Sequence, residues 1–576
     1  MKIDRLQMFL TRPLSKIPRT ITKFWFALSL AFTSFYSLPV VSEALGHQYL
    51  ISDDGRQHLF WMRQFLDAQL FPNDSIADYF QSVSPIGYAS FYRIFAALGI
   101  DPLDVARIVP LPLALIAASY AFWLTLEFFP IPSAGFLSSV LFVQNLWMRD
   151  DLASASARAF LSPLFLAFLY YLSRRNFLLT LITIVGLGVF YPQYVLVCAG
   201  VLCLLNFTPG VLPSLKPRNT KRLKDFSSER GLEIKISLIL CIAILIPYAL
   251  QSSEFGTALT LAEARHLPEF YPGGRTAYFS TDVGRFWLSG SRTGLQIPLD
   301  PPLLCAGLLF PVLAWHWLKY FRILFYLFLS SIGLFFLAHL FAFRLHLPSR
   351  YTQHSLRIVM AIFAATMLII ILDWGLRCAR TKITRWLVGL GVVAIFGYLA
   401  LYPFSLGNYP KTNYIVGSHP RLYEFFQKQP KDVLIASLAP EANNLPAFAQ
   451  RSILVGYEYA IPFHRGYYQI VRQRSIDLLK AHYTQNLEDL RNFIETYKTD
   501  FFIVDLQAFS QNYLIESRWI RSYPREVEAI QQQLKAGERP ALQQFLETCR
   551  DFQSENLVVV AGSCMVRTEL ESVVSP

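Results

Sequence analysis

The chain has 576 residues, 53% of them hydrophobic and 16% charged, with a formal net charge of +12. Soluble domains carry about 25% charged residues, so this composition, with a mean hydropathy of +0.35, excludes an ordinary soluble protein and describes a chain that crosses a membrane repeatedly. Much of the basic excess sits in short segments between apolar runs, where it sets orientation; this excludes reading the charge as a nucleic-acid footprint.

Residues 1–23 carry Lys2, Arg5, Arg12, Lys16, Arg19 and Lys23, which predicts a cytoplasmic N-terminal segment. The apolar run behind it lacks a clean small-x-small cleavage site and reads as a retained helix over 24–41 rather than a removed signal peptide. The first outer loop, 42–103, follows. Helix two (107–129) returns, the turn FFPIPSAG reverses the chain, helix three (133–148) exits, and helix four (159–172) ends at Ser173-Arg174-Arg175. The run 177–207 is too long for one span, and Pro192 in YPQY cannot continue a hydrogen-bonded helix, so two short helices are predicted there.

Segment 208–235, with Lys216, Arg218, Lys221, Arg222, Lys224, Arg230 and Lys235, reads as cytoplasmic. Helix seven (236–250) exits into a second long outer loop, 251–298. Helices over 302–318, 323–343, 358–374 and 386–405 complete eleven predicted spans, with Lys319, Arg322, Arg377, Arg380, Lys382 and Arg385 at inner ends. The membrane domain is thus 24–405.

Beyond it, the β-rich runs DVLIAS, SILVG, DFFIVD and LVVVAGS alternate with polar helical stretches, 470–497 and 524–549, which predicts an α/β domain over 406–576 on the extracytoplasmic side. Five of the seven cysteines lie in or beside predicted helices. Cys549 and Cys564 lie in this last domain, and a bridge between them is expected, contributing on the order of 3 kcal/mol through loop entropy.

Three polar clusters stand out on the predicted outer face. Asp53 and Asp54 precede RQHLFWMRQFLDAQL, 56–70, where Leu59, Met62, Leu66 and Leu70 predict an amphipathic helix lying in the membrane interface. One aspartate would serve as an N-cap, which leaves the second unexplained. WMRDDLASASARAF places Arg149, Asp150 and Asp151 at the outer end of helix three. Two acidic doublets at one interface could form a general base, a base with its orienting partner, or a site for a divalent metal; no His-Cys spacing points to zinc. RLHLPSRYTQHSLR then supplies Arg344, His346, Arg350, His354 and Arg357 without an acid, on the side where topology does not require positive charge. Arg recognises phosphate in bidentate fashion, so Arg149, Arg350, His354 and Arg357 are candidate phosphate-binding residues, and headgroup anchoring is the plainer alternative. In the second outer loop, EARHLPEFYPGGRTAYF marks a structured turn whose aromatics could stack on sugars or cover the membrane face.

This layout resembles the GT-C superfamily of membrane glycosyltransferases, the polyprenyl-phosphate-sugar enzymes related to protein O-mannosyltransferases and aminoarabinose transferases. The resemblance rests on an acidic motif opening a large outer loop (Asp53-Asp54), on SPIGYASFYRIFAALGIDPLDVARIVPLPLALIAASYAF (84–122), similar to the family's Pro-containing juxtamembrane helix, on a second acidic site after helix three, and on a terminal extracytoplasmic domain. NNLPAFAQRSILVGYEYAIPFHRGYY also looks like the tail of bacterial membrane proteins grouped loosely with it. The family's first-loop acids are commonly spaced, whereas here they are adjacent. The resemblance implies an integral inner- or plasma-membrane enzyme. It would move a hexosyl or pentosyl group from a polyprenyl-phosphate donor to a lipid, glycan or protein acceptor, with inversion. Asp54 would be the base, Asp53 the second choice, with Asp150 and Asp151 in the site. The alternatives are a transporter or flippase of lipid-linked or envelope glycans and a non-catalytic membrane scaffold.

Overall fold

The computed structural model describes residues 3–207, 222–250, 254–314, 320–379 and 381–567. Lys2, Lys216, Arg218, Lys221, Lys319 and Arg380 of the predicted inner segments lie outside them.

Five helices are long and apolar enough to cross a membrane: Arg19–Gly46, Pro110–Phe128, Gly231–Leu250, Arg322–Leu345 and Pro348–Cys378. Shorter apolar helices cover Phe177–Phe190, Gln193–Phe207, Pro302–Leu313 and Trp386–Leu401. At the centre lies Pro132–Trp147, buried at every one of its 16 positions, as expected of a helix with no polar face to present. Around it pack Arg19–Gly46, Pro110–Phe128 and Pro348–Cys378. The break expected at Pro192 separates two helices, with Tyr191 between them.

Two elements differ from their sequence-based expectation. The described part of the run 302–318 does not form one α-helix: Pro302–Leu309 is a tight 3-10 turn followed by the short helix Phe310–Leu313. Gly307 lies so close to the helix Pro348–Cys378 that a Cβ there would stand 2.9 Å from the Met360 carbonyl, and Pro311 lacks the N–H needed to continue the ladder. Residues 56–70 do not form an interfacial amphipathic helix either. A short helix, Asp53–His58, gives way to the 3-10 stretch Phe60–Phe65, whose Phe60, Trp61 and Met62 are buried in succession. Consecutive buried residues point to every side of a helix, so this segment is core rather than membrane surface. Phe60 packs edge-on against Phe71 and Tyr459.

Seven strands are present among the described residues. β1 (Leu50–Ser52) pairs antiparallel with β2 (Tyr414–Val416), Leu50 opposite Val416 and Ser52 opposite Tyr414. The remaining five, β3 (Leu434–Ser437), β4 (Ser452–Ile453), β5 (Phe501–Asp505), β6 (Arg550–Ser554) and β7 (Leu557–Ala561), form one sheet in the order β4-β3-β5-β7-β6. β3 runs parallel to both β4 and β5, and β7 antiparallel to β5 and β6. β6, sequence RDFQS, was not anticipated: it is an edge strand, and its largely polar, exposed residues carry no hydrophobic alternation. Cys549 and Cys564 form a disulfide across the end of this sheet, their Cα atoms 5.6 Å apart.

The sheet-bearing region is fastened to the segment 42–103. Tyr467 stacks face to face on Tyr79, with ring centroids 3.7 Å apart, and Tyr79 exchanges a hydrogen bond with His464 at 3.0 Å. The segment 254–298 joins the same seam through Leu259 N–H to Phe463 O, 2.9 Å. The sequence NNLPAFAQRSILVGYEYAIPFHRGYY is therefore largely a docking surface.

Candidate functional site

The site begins where β1 ends. Ser52 caps the helix Asp53–His58: its Oγ accepts the Gly55 N–H at 3.1 Å and donates to the Ser154 carbonyl at 3.0 Å. Capping thus falls to serine, and both aspartates are released from it. The approach is close enough that a Cβ on residue 55 would lie 2.6 Å from Ser52 Oγ, which explains glycine there.

The two aspartates turn to different partners. Asp53 donates its N–H to Asn413 O (3.0 Å), and its carboxylate pairs with Arg56. Arg56 continues to Glu458 Oε2 and Asn444 Oδ1, each at 3.1 Å. Glu458 also pairs with Arg275 at 2.5 Å and accepts from Gln57. Asp53 therefore belongs to a buried network that joins three segments.

Asp54 faces Arg158, whose Nη2 stands 2.7 Å from Asp54 Oδ2. The same guanidinium approaches Asp150 Oδ1 and Asp151 Oδ1, both at 3.3 Å. Asp54 Oδ1 has no hydrogen-bond partner among the described residues. Asn413, in the left-handed backbone region at φ 48°, also donates to Asp150 Oδ2 at 2.9 Å, so one residue after the last predicted span touches both acidic doublets.

The basic cluster divides in two. The helix Pro348–Cys378 starts early enough to place Arg350, His354 and Arg357 along one side. Its inner part is spent on Asp151: Arg357 Nη2 is 2.7 Å from Asp151 Oδ2, and His354 Nδ1 is 3.9 Å from it, all three side chains nearly inaccessible. Its outer part is not. Arg350 reaches only Gln353 Oε1, at 3.2 Å, Arg149 only Gln296 Oε1, at 2.8 Å, and Arg292 only two backbone carbonyls at 3.5 Å. Among the described residues none of these three has a carboxylate partner.

Charge sets the protonation states. Burial works to raise the Asp54 carboxyl, but Arg158, His58, Arg350 and Arg275 together outweigh it and hold the group below its ordinary range. Asp151 behaves likewise, with burial overcome by Arg357, Arg158, His354 and Arg149. Burial also lowers Arg292, and with Arg275 and Arg350 adding like charge it falls to about 10. His346 is pushed down to about 3 by burial and by Arg350 and Arg158, so it is neutral. The result is an ionised Asp54 amid guanidinium groups drawn from three parts of the chain.

Among the described residues no group of three His, Cys, Asp or Glu side chains is placed to hold a metal ion. Asp54, Asp150 and Asp151 converge on Arg158, while Asp53 turns to Arg56.

Of the residues singled out in the sequence, Asp54, Asp150, Asp151, His354 and Arg357 meet around Arg158 or its neighbour Asp151. Asp53 turns away, and Arg350 and Arg149 flank the group. Sequence reasoning did not single out Arg158, Arg275, Arg292, Asn413 or Glu458. Arg158 alone left a signal: it ends the same polar stretch that opens with Asp150-Asp151.

No protein-family model and no curated protein matches the sequence. Solved structures do match the fold. The Archaeoglobus fulgidus oligosaccharyltransferase tethered to an acceptor peptide gives a TM-score of 0.52 at 12% identity over 88% of this chain and 72% of that one. AglB from the same organism, in complex with an inhibitory peptide and a dolichol-phosphate, gives 0.51 at 13% identity over 88% and 72%. ArnT from Cupriavidus metallidurans in the apo state gives 0.50 at 12% identity over 94% and 99%. The chain shares the fold of these structures, and five of its helices are long and apolar enough to cross a membrane.

Proposed function

We propose that the protein is a membrane glycosyltransferase that moves a sugar from a polyprenyl-phosphate carrier to an acceptor on the extracytoplasmic side. The observation that carries this reading is an ionised carboxylate, Asp54, held by Arg158 and lying within the electrostatic influence of Arg350 and Arg292, two guanidinium groups that have no carboxylate partner among the described residues. The AglB neighbour solved with a dolichol-phosphate supports a lipid-phosphate donor.

In this reading an acceptor hydroxyl hydrogen-bonds to Asp54 Oδ1 while Arg158 holds Oδ2. The hydroxyl oxygen attacks the anomeric carbon as its proton passes to Asp54, and the bond from that carbon to the phosphate oxygen breaks. The phosphate leaves with the electron pair of that bond, and the new negative charge is met by Arg350 and Arg292, with Arg149 beside them. A single displacement inverts the anomeric centre. Asp151, Arg357 and His354 fix Arg158 from behind. The topology that goes with this reading has eleven spans, the N-terminus in the cytoplasm, a membrane domain over 24–405 and an extracytoplasmic domain over 406–576.

Lipid extracts of a deletion strain test it. Accumulation of a polyprenyl-phosphate sugar, relieved by the wild-type gene, is the expected result; pools identical to the parent strain overturn it.

A further inference from the structure

Transfer as proposed above leaves one proton on Asp54 at every turnover, and that proton has to leave before the next. Asp54 holds it poorly: burial favours the neutral carboxyl, but Arg158, His58, Arg350 and Arg275 outweigh burial and keep the group below its ordinary range. The guanidinium groups cannot take the proton, because they are already fully protonated. His58 can. It ends the helix Asp53–His58, four residues beyond Asp54, so the two side chains lie on one face of that helix with Cβ atoms about 5–6 Å apart.

The imidazole is held in place with its nitrogens left over. It is half-buried, and its ring meets Phe80 edge-on with centroids 5.7 Å apart. Among the described residues neither ring nitrogen has a hydrogen-bond partner. Burial lowers the ring below its ordinary value; Asp54 opposes this and Arg158 adds to it, so at about pH 7 the ring is neutral and has a nitrogen lone pair to offer. The other elements packed on this helix leave that balance alone. From Ser75–Ser82, Phe80 brings no charge and Asp78 is exposed. Arg63 of Phe60–Phe65 pairs with Asp101, and Glu458 of Tyr457–Tyr459 is engaged by Arg56, Arg275 and Gln57. His354 also stands near an acid, Asp151, but only 3% of its side chain is exposed.

We propose that His58 serves the reaction through Asp54, as the relay that takes the proton from the base and returns it to water; this rests on the transfer reading above. The O–H bond of the Asp54 carboxyl breaks as an N–H bond forms on the free imidazole nitrogen. The imidazolium then gives its proton to solvent, and both groups return to their starting charge. No co-reactant is consumed. Transfer releases one proton overall, because a phosphodiester donor becomes a phosphomonoester dianion, and His58 is the exit for that proton.

The test supplies purified full-length protein to detergent extracts of deletion-strain membranes. The accumulated polyprenyl-phosphate sugar is the probe, and its loss is followed by mass spectrometry from about pH 5 to 8. The wild-type rate is expected to fall on the acid side, as His58 becomes charged and can no longer accept a proton. His58→Gln is expected to be about tenfold or more slower at neutral pH and to lack that acid limb, because Asp54 titrates below the range. His58→Ala is expected to recover activity when free imidazole is added, which a ring that only fills space would not show. A His58→Gln rate and pH profile equal to wild type, or a slow His58→Ala that imidazole leaves slow, overturns the proposal and leaves the transfer reading standing. Wild type that consumes no lipid-linked sugar overturns the transfer reading and this inference with it. Should neither variant fold, imidazole nitrogen NMR of wild type and Asp54→Asn decides. The His58 midpoint is expected to drop once the carboxylate is gone, and an unchanged midpoint overturns the proposal.

Discussion

Asp54→Asn is expected to lower the transfer rate by about 10²–10⁴-fold, the usual contribution of a positioned base. The amide is isosteric and can still accept from Arg158, but it cannot take a proton. The fold should tolerate the change: Arg158 keeps Asp150 and Asp151, and the Asp54 side chain is 34% exposed, so the cost is about 1 kcal/mol or less. A strain carrying this substitution should therefore accumulate the same lipid-linked sugar as the deletion strain, while the purified variant melts near the wild type. Asp53→Asn is the matched control. Its carboxylate faces Arg56 and the Glu458 network rather than the arginine cluster, so a smaller loss of transfer is expected. If Asp53→Asn proves the more damaging of the two, the base has been assigned to the wrong neighbour.

The second large effect is on stability. Asp151 and Arg357 face each other at 2.7 Å with 3% and 1% of their side chains exposed. Asp151→Asn leaves the Arg357 charge buried without a counter-ion, which typically costs about 3–5 kcal/mol. Removing both charges at once, as in Asp151→Leu with Arg357→Met, should restore much of the loss, because it leaves no uncompensated ion in the interior. Thermal melting in nanodiscs separates the two cases; equal destabilisation by the single and double variants would show that the site depends on shape rather than charge. The pair also fixes a pH dependence. The Asp151 carboxyl lies below its unfolded value of about 4, so its contribution is fully present above that pH and is lost as pH falls through the folded value. Wild type should therefore lose stability in acid more steeply than the doubly neutral variant.

Much of the fold was legible because its signals are local. Long apolar runs, the proline at 192, and β-rich stretches between polar helices each report on their own neighbourhood. Two elements misled for a local reason too. The spacing of Leu59, Met62, Leu66 and Leu70 fits one helical face, but Phe60 and Trp61 fill the positions between, and their burial decides the outcome. The 302–318 run is apolar enough for a helix, yet Gly307 and Pro311 let it tighten against a neighbour.

The site was legible only in its acids. Asp54, Asp150 and Asp151 stand out because charge is rare in this chain. Arg158, Arg292 and Glu458 do not, because what gives them meaning is the side chain opposite, on a distant segment. The sequence places Arg350, His354 and Arg357 in one cluster; the helix sets Arg357 and His354 against Asp151 and leaves Arg350 outside that contact. Pattern alone does not tell a cation that neutralises a neighbour from one that waits for a ligand.

The pairing of β1 with β2 has a consequence for how the protein is made. The strand that delivers Asp53 and Asp54 emerges early in synthesis, yet its partner, with Asn413 just ahead of it, arrives only after the helix Lys382–Leu401. Until then the acidic loop has no ladder to lie against. The cluster around the two acidic doublets is therefore completed among the last parts of the chain, and a ribosome stalled before Tyr414 would leave the helices made and β1 without its partner.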